Sequence, residues 1–153
     1  MKDYSKDIRK LIARIPQGFE CAKPGCYACC GHHAWSWTEW EKIEDKRYAE
    51  SEDAPCPYAS PEGCEVYEQR PVVCRLYGVC GNVGALPYWG QATPLNLKCP
   101  IGEPLVDGKT GHKLFSDYIT IIRMEADDIK NSGASVIYAG PYGRFIGERN
   151  VMR

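Results

Sequence analysis

CAKPGCYACC, residues 21–30, places Cys21, Cys26, Cys29 and Cys30 within ten residues. Core packing gives no reason to gather thiols so densely, whereas a chelating loop requires it. The two residues between Cys26 and Cys29 let both sulfurs reach one centre around a tight turn, and Pro24-Gly25 supplies a turn between Cys21 and Cys26. Adjacent Cys29 and Cys30 point their side chains apart in most backbone conformations. They therefore serve two centres or one multi-atom cluster, or one ligates while the other packs. A tetrahedral site needs four donors, so the loop is half a site, and Cys56, Cys64, Cys74 and Cys99 are the candidates for the other half. Closing chain segments so far apart costs entropy, which metal binding offsets when its free energy becomes folding energy.

The rest of the composition decides how these thiols are read. At 153 residues, 44% hydrophobic and 25% charged, the chain is sized for one domain spanning 1–153. A net charge of -1 and the lack of a long basic run give no attraction toward nucleic acid. The first eighteen residues carry charges throughout, and no stretch approaches the roughly 18 apolar residues of a membrane span. A cytoplasmic location is expected, where thiols stay reduced and clustered cysteines mean metal rather than disulfides. The odd count of nine cysteines fits a disulfide framework poorly.

Helical spacing is clearest at the two ends. Ile8, Leu11, Ile12 and Ile15 recur three, four and seven residues apart, predicting an amphipathic helix within residues 1–16 that stops before Pro16. Leu114, Tyr118, Ile121, Ile122, Glu125 and Ile129 trace a longer helix over 110–132, with Gly133 as its C-cap and Glu125 at the solvated edge of the stripe. Between them, fifteen glycines and eleven prolines, most of them in the middle of the chain, break residues 21–102 into loops. Thr38 ahead of Glu41, or Ser36 ahead of Glu39, predicts a helix of about a dozen residues, with Trp35 and Trp37 folding back as an apolar lid. Short turns are expected at 65–70 and 72–77, irregular chain over 81–98, and, within the tail at 133–153, a short apolar run of strand or helix type at 135–139 followed by a loosely packed stretch from Gly140 to Arg153. The expected fold is mainly α with extensive irregular loops, a small single-domain cysteine-rich structure held together by a metal centre.

Thiolates suit zinc, copper(I) and iron–sulfur clusters, and cluster iron is commonly held by four cysteines. Cys56-Pro57 and Cys99-Pro100 repeat a Cys-Pro pairing found in some ferredoxin-type runs. His32 and His33 follow the chelating loop as stand-in ligands that so many thiolates do not require. Four thiolates on Zn²⁺ or on an oxidised four-iron cluster leave a net charge of about -2, so Arg70, Arg75 and Lys98, close in sequence to Cys74 and Cys99, are candidate donors to sulfur. The chain has no C-x3-C-x2-C triad, since His33 stands where its third cysteine would, and no G-x-G-x-x-G nucleotide loop.

These residues resemble the YkgJ-type cysteine-cluster family, a zinc- or iron-chelating domain recognised by a CxxCxxCC run. Cys26-Tyr27-Ala28-Cys29-Cys30, the helix start at Thr38-Glu39, and the block Cys56-Pro57-Tyr58, Cys64, Tyr67, Arg70-Pro71 and Cys74-Arg75 carry the resemblance, with Cys99-Pro100-Ile101-Gly102 a looser match. Four residues separate Cys21 from Cys26 where the family pattern has two, and Cys80 has no counterpart. The resemblance implies metal binding by Cys21, Cys26, Cys29, Cys30, Cys56, Cys64, Cys74 and Cys99, as an iron–sulfur cluster, for example 4Fe-4S, or as zinc. A related cysteine pattern occurs in a flagellin lysine methylase, which keeps a metal-dependent enzyme or redox accessory role open. The other alternative is a structural zinc module that presents the 110–132 helix or its tryptophans to a protein partner.

Overall fold

The computed structural model describes residues 2–19, 33, 35–88, 91–100, 102–133 and 139–143. The first helix, α1 (Ser5–Arg14), opens where Asp3 Oδ1 takes the Ser5 amide at 2.9 Å and the Ser5 hydroxyl at 2.6 Å. It buries Ile8 and Leu11 and stops at Ile15, ahead of Pro16. The Tyr4 hydroxyl reaches Asp128 at 3.0 Å and Arg14 reaches Asp117 at 2.8 Å, tying both ends of α1 to the long helix α4 (Gly108–Asn131). Asp107 caps α4 through the Thr110 amide at 2.7 Å, and Gly133, at φ +87°, follows its Ser132 C-cap as the spacing predicts.

Between α1 and α4 the fold departs from expectation. The structure is not clearly mainly α: among the described residues four α-helices stand beside two small antiparallel sheets. One sheet is the pair β1 (Ala59–Ser60) and β2 (Gly63–Cys64). The other pairs β3 (Asn82–Tyr88) with β4 (Gln91–Asn96), across the region expected to be irregular. Pro87 and Pro94 tolerate strand positions there because a two-stranded ribbon leaves outer edges that need no amide donor. Val72, Val73, Leu76, Val79, Val83, Leu114, Phe115 and Tyr118 make one buried cluster joining α1, α3 (Val72–Leu76), β3 and α4. Burying such side chains contributes roughly 1.5–3 kcal/mol each.

A second, smaller cluster of Trp35, Trp40, Ile43, Tyr58 and Ala139 packs the middle of the chain. Here α2 (Trp37–Glu41) is five residues long, not about a dozen, and its cap is Ser36. The start of the tail is docked rather than loose. Trp35 bridges to Ala139, Tyr142 donates to Ala54 O at 2.6 Å, and Gly140, at φ +105°, lies so close to the Trp35 ring that no Cβ fits.

Candidate metal centre

Cys56 and Cys64 are carried by the loop before the small hairpin and by its second strand. The Ala59 amide donates to Cys56 O at 3.0 Å, Ala59 stands opposite Cys64, and Gly63, at φ +118°, makes the turn that only glycine enters freely. Tyr58, in the same loop, is buried. Its hydroxyl donates to Asp45 O at 2.7 Å and accepts the Arg47 amide at 2.9 Å. Both cysteines are half-buried against the tryptophan cluster, so the aromatic side chains wall one side of this thiol pair.

Cys74 sits on α3. Val72, Val73 and Leu76 face inward and are fully buried, which turns Cys74 and Arg75 toward the half-exposed side. The helix ends at Tyr77-Gly78, and from there the Gly78 amide donates to Leu97 O at 2.8 Å, bringing the segment that carries half-buried Cys99 alongside. Phe19 wedges into this junction. A Cβ on Gly78 or on Gly102 would overlap its ring, and the same position on Gly102 lies 3.8 Å from the Cys99 Cβ. The His33 ring packs at a tilt of 44° against Tyr77, with centroids 4.9 Å apart. Phe19 precedes the cysteine loop and His33 follows it, so both flanks converge on the turn between Cys74 and Cys99. Cys21, Cys26, Cys29, Cys30 and His32 lie outside the described residues.

One family model spans both cysteine blocks in sequence. Residues 20–93 match the CxxCxxCC family, described as a "Putative zinc- or iron-chelating domain". The match covers just under half of the chain and includes Cys21 through Cys80. No curated protein and no solved structure matches the chain.

The chelating role in that description is one the donor chemistry of the described cysteines suits. Cys56, Cys64, Cys74 and Cys99 are half-buried thiols, accessible to a metal yet shielded from bulk water. Among the described residues no three His, Cys, Asp or Glu side chains converge on one point, so these four do not make a complete shell by themselves. Cys80 differs from them. It is fully buried, burial pushes its thiol up to about 11, and its sulfur packs against Gly111 of α4. It is a core residue of the helix–strand contact. Lys98 is exposed and pairs with Glu103 at 3.9 Å.

Sequence reasoning missed two carboxylates behind this site. Glu125, expected at a solvated edge, is fully buried, and it caps α2 from α4. Its oxygens accept the Trp37 amide at 2.9 Å, the Thr38 amide at 2.9 Å and the Thr38 hydroxyl at 2.7 Å. Glu39 does the same for α3, taking the Val72 amide at 2.8 Å, while the Tyr118 hydroxyl (2.8 Å) and the Ser36 hydroxyl (2.9 Å) donate to its other oxygen. Tyr118 in turn accepts the Ser36 amide at 2.9 Å. Burial pushes Glu39 up to about 7 against the opposing pull of those hydrogen bonds, and raises Glu125 as well. One chain of caps therefore runs from α4 through α2 to the helix that carries Cys74. The Ser36–Glu39 capping box was the one visible sign of it.

Proposed function

We propose that Cys26, Cys29 and Cys30, together with Cys56, Cys64, Cys74, Cys99 and Cys21, hold an iron–sulfur cluster, with zinc as the alternative occupant. The supporting observation is the convergence of Phe19 and His33, the flanks of the first cysteine block, on the turn that separates Cys74 from Cys99. Sulfur-only ligation suits both occupants, and the adjacent pair Cys29-Cys30 favours a multi-atom centre. Such a group would supply electron transfer, or a structural clamp if it is zinc, in a protein of the reducing cytoplasm.

Cys64→Ser and Cys74→Ser each remove a donor, and metal content measured on the purified full-length protein should fall in both. Retention of full metal by both variants would sink the ligand assignment. A structural module that presents α4 to a partner is less favoured, since the apolar face of α4 is taken up by α1, α3 and β3 and the rings of Trp35 and Trp40 are buried.

A further inference from the structure

Arg75 stands directly after Cys74 on α3, and its guanidinium is held in place by backbone. Nε donates to Arg70 O at 2.9 Å and Nη2 donates to Glu68 O at 2.9 Å, which fixes the side chain along the turn that precedes the helix. Arg14, Arg47, Lys98 and Lys113 reach carboxylates at the exposed surface. Arg75 is set deeper than these, yet among the described residues no carboxylate lies within ion-pair distance of it. Arg70 itself lies over the Tyr67 ring, 3.8 Å from its centroid, and also makes no ion pair among the described residues. Two guanidiniums, one of them half-buried, thus stand close in sequence to a candidate thiolate ligand, with no carboxylate in ion-pair range among the described residues.

We propose that Arg75 is the fixed counter-charge of the thiolate centre, offsetting the excess negative charge that Cys74 and its partner sulfurs carry once metal is bound. This inference rests on the metal-binding reading above. A thiolate shell with a net charge of about -2 supplies what Arg75 lacks. The guanidinium brings N–H donors not used by Glu68 O and Arg70 O, which sulfur accepts. Preorganisation by two carbonyls means little side-chain entropy remains to be lost on binding. Arg75 is a positioning residue in this scheme and does not ligate.

The test is a competition titration of the full-length protein with Zn²⁺ against a chromophoric chelator, for wild type, Arg75→Met and Arg75→Lys, at low and high salt. Arg75→Met should weaken Zn²⁺ affinity by about 10- to 100-fold. Arg75→Lys restores the charge without the fork and should recover most of that loss. The wild-type affinity should also fall more steeply with salt than that of Arg75→Met, a difference that a purely structural role would not produce. Equal affinity in wild type and Arg75→Met would overturn the proposal. So would equal losses in Met and Lys variants with unchanged salt dependence, which would assign Arg75 to holding the 68–70 turn. Wild-type protein that takes up no Zn²⁺ and carries no iron would instead end the metal reading itself, and the counter-charge with it.

Discussion

Glu125, on the long helix α4, accepts both the amide and the hydroxyl of Thr38 on α2, at 2.9 and 2.7 Å, and is itself fully buried. Removing it leaves three donors in the interior without acceptors, those of Thr38 and the Trp37 amide. Glu125→Ala should therefore destabilise the fold by about 3 kcal/mol or more, whereas Glu125→Gln, which keeps one acceptor oxygen, should lose less. Urea unfolding monitored by tryptophan fluorescence measures both. A loss under about 0.5 kcal/mol for the alanine variant, the range of an ordinary surface change, would mean that this cap is not formed.

Glu39 predicts an unusual pH dependence. Its folded-state pKa, pushed up to about 7, exceeds its ordinary value of 4.5, so the folded protein holds this proton more tightly than the unfolded chain does. The stability it contributes is complete below about pH 4.5 and is lost as pH rises through about 7, on the order of 3 kcal/mol in all. Glu125, shifted in the same direction, adds to the effect with the same sign. Glu39→Gln cannot titrate, so the stability of wild type relative to this variant should decline between pH 5 and 8. A pH-independent difference would show that the carboxylate stays ionised throughout, its charge fully met by Tyr118, Ser36 and Val72.

Gly78 tests the docking of the cysteine loop. It has φ +85°, and any side chain there meets the Phe19 ring. Gly78→Ala should cost about 1–3 kcal/mol from backbone strain and displacement of Phe19, and should lower metal content in the same preparation. Phe19→Ala, which removes the wedge without straining Gly78, should lower metal content too. If both variants keep full metal, the Phe19 anchor does not serve the site.

Cys80 gives the opposite expectation from the other described cysteines. Cys80→Ala should retain full metal content, with a modest stability loss from the cavity beside Gly111. Its thiol, protonated and enclosed, should resist alkylation in the folded protein and react only after unfolding. Mass spectrometry after a timed iodoacetamide pulse separates it from the half-buried cysteines.

What the sequence disclosed and what it hid follow from the range of the forces involved. The C-terminal ends of α1 and α4 were legible because Pro16 and Gly133 act within one turn of the residues they bound. The β3–β4 hairpin was not, because glycine and proline suggest broken chain unless a partner strand and the face of α4 supply the compensation. Glu125 falls on a helical stripe that reads as an edge. Only the tertiary approach of α2's amino terminus makes a carboxylate there an asset in the core. For the site, spacing separated the two cysteine blocks well, but the setting of Arg75 between Glu68 O and Arg70 O and the enclosure of Cys80 depend on folded geometry.

The central claim is that the two cysteine blocks close on one metal-bearing thiolate centre. Anaerobic purification followed by quantification of iron, zinc and acid-labile sulfide per chain, with a visible absorption spectrum, tests it most directly. The account predicts iron and sulfide in matching amounts with thiolate-to-iron charge-transfer bands. Colourless protein with stoichiometric zinc and no sulfide would replace the cluster by the alternative occupant, and a chain carrying neither iron nor zinc would contradict the claim.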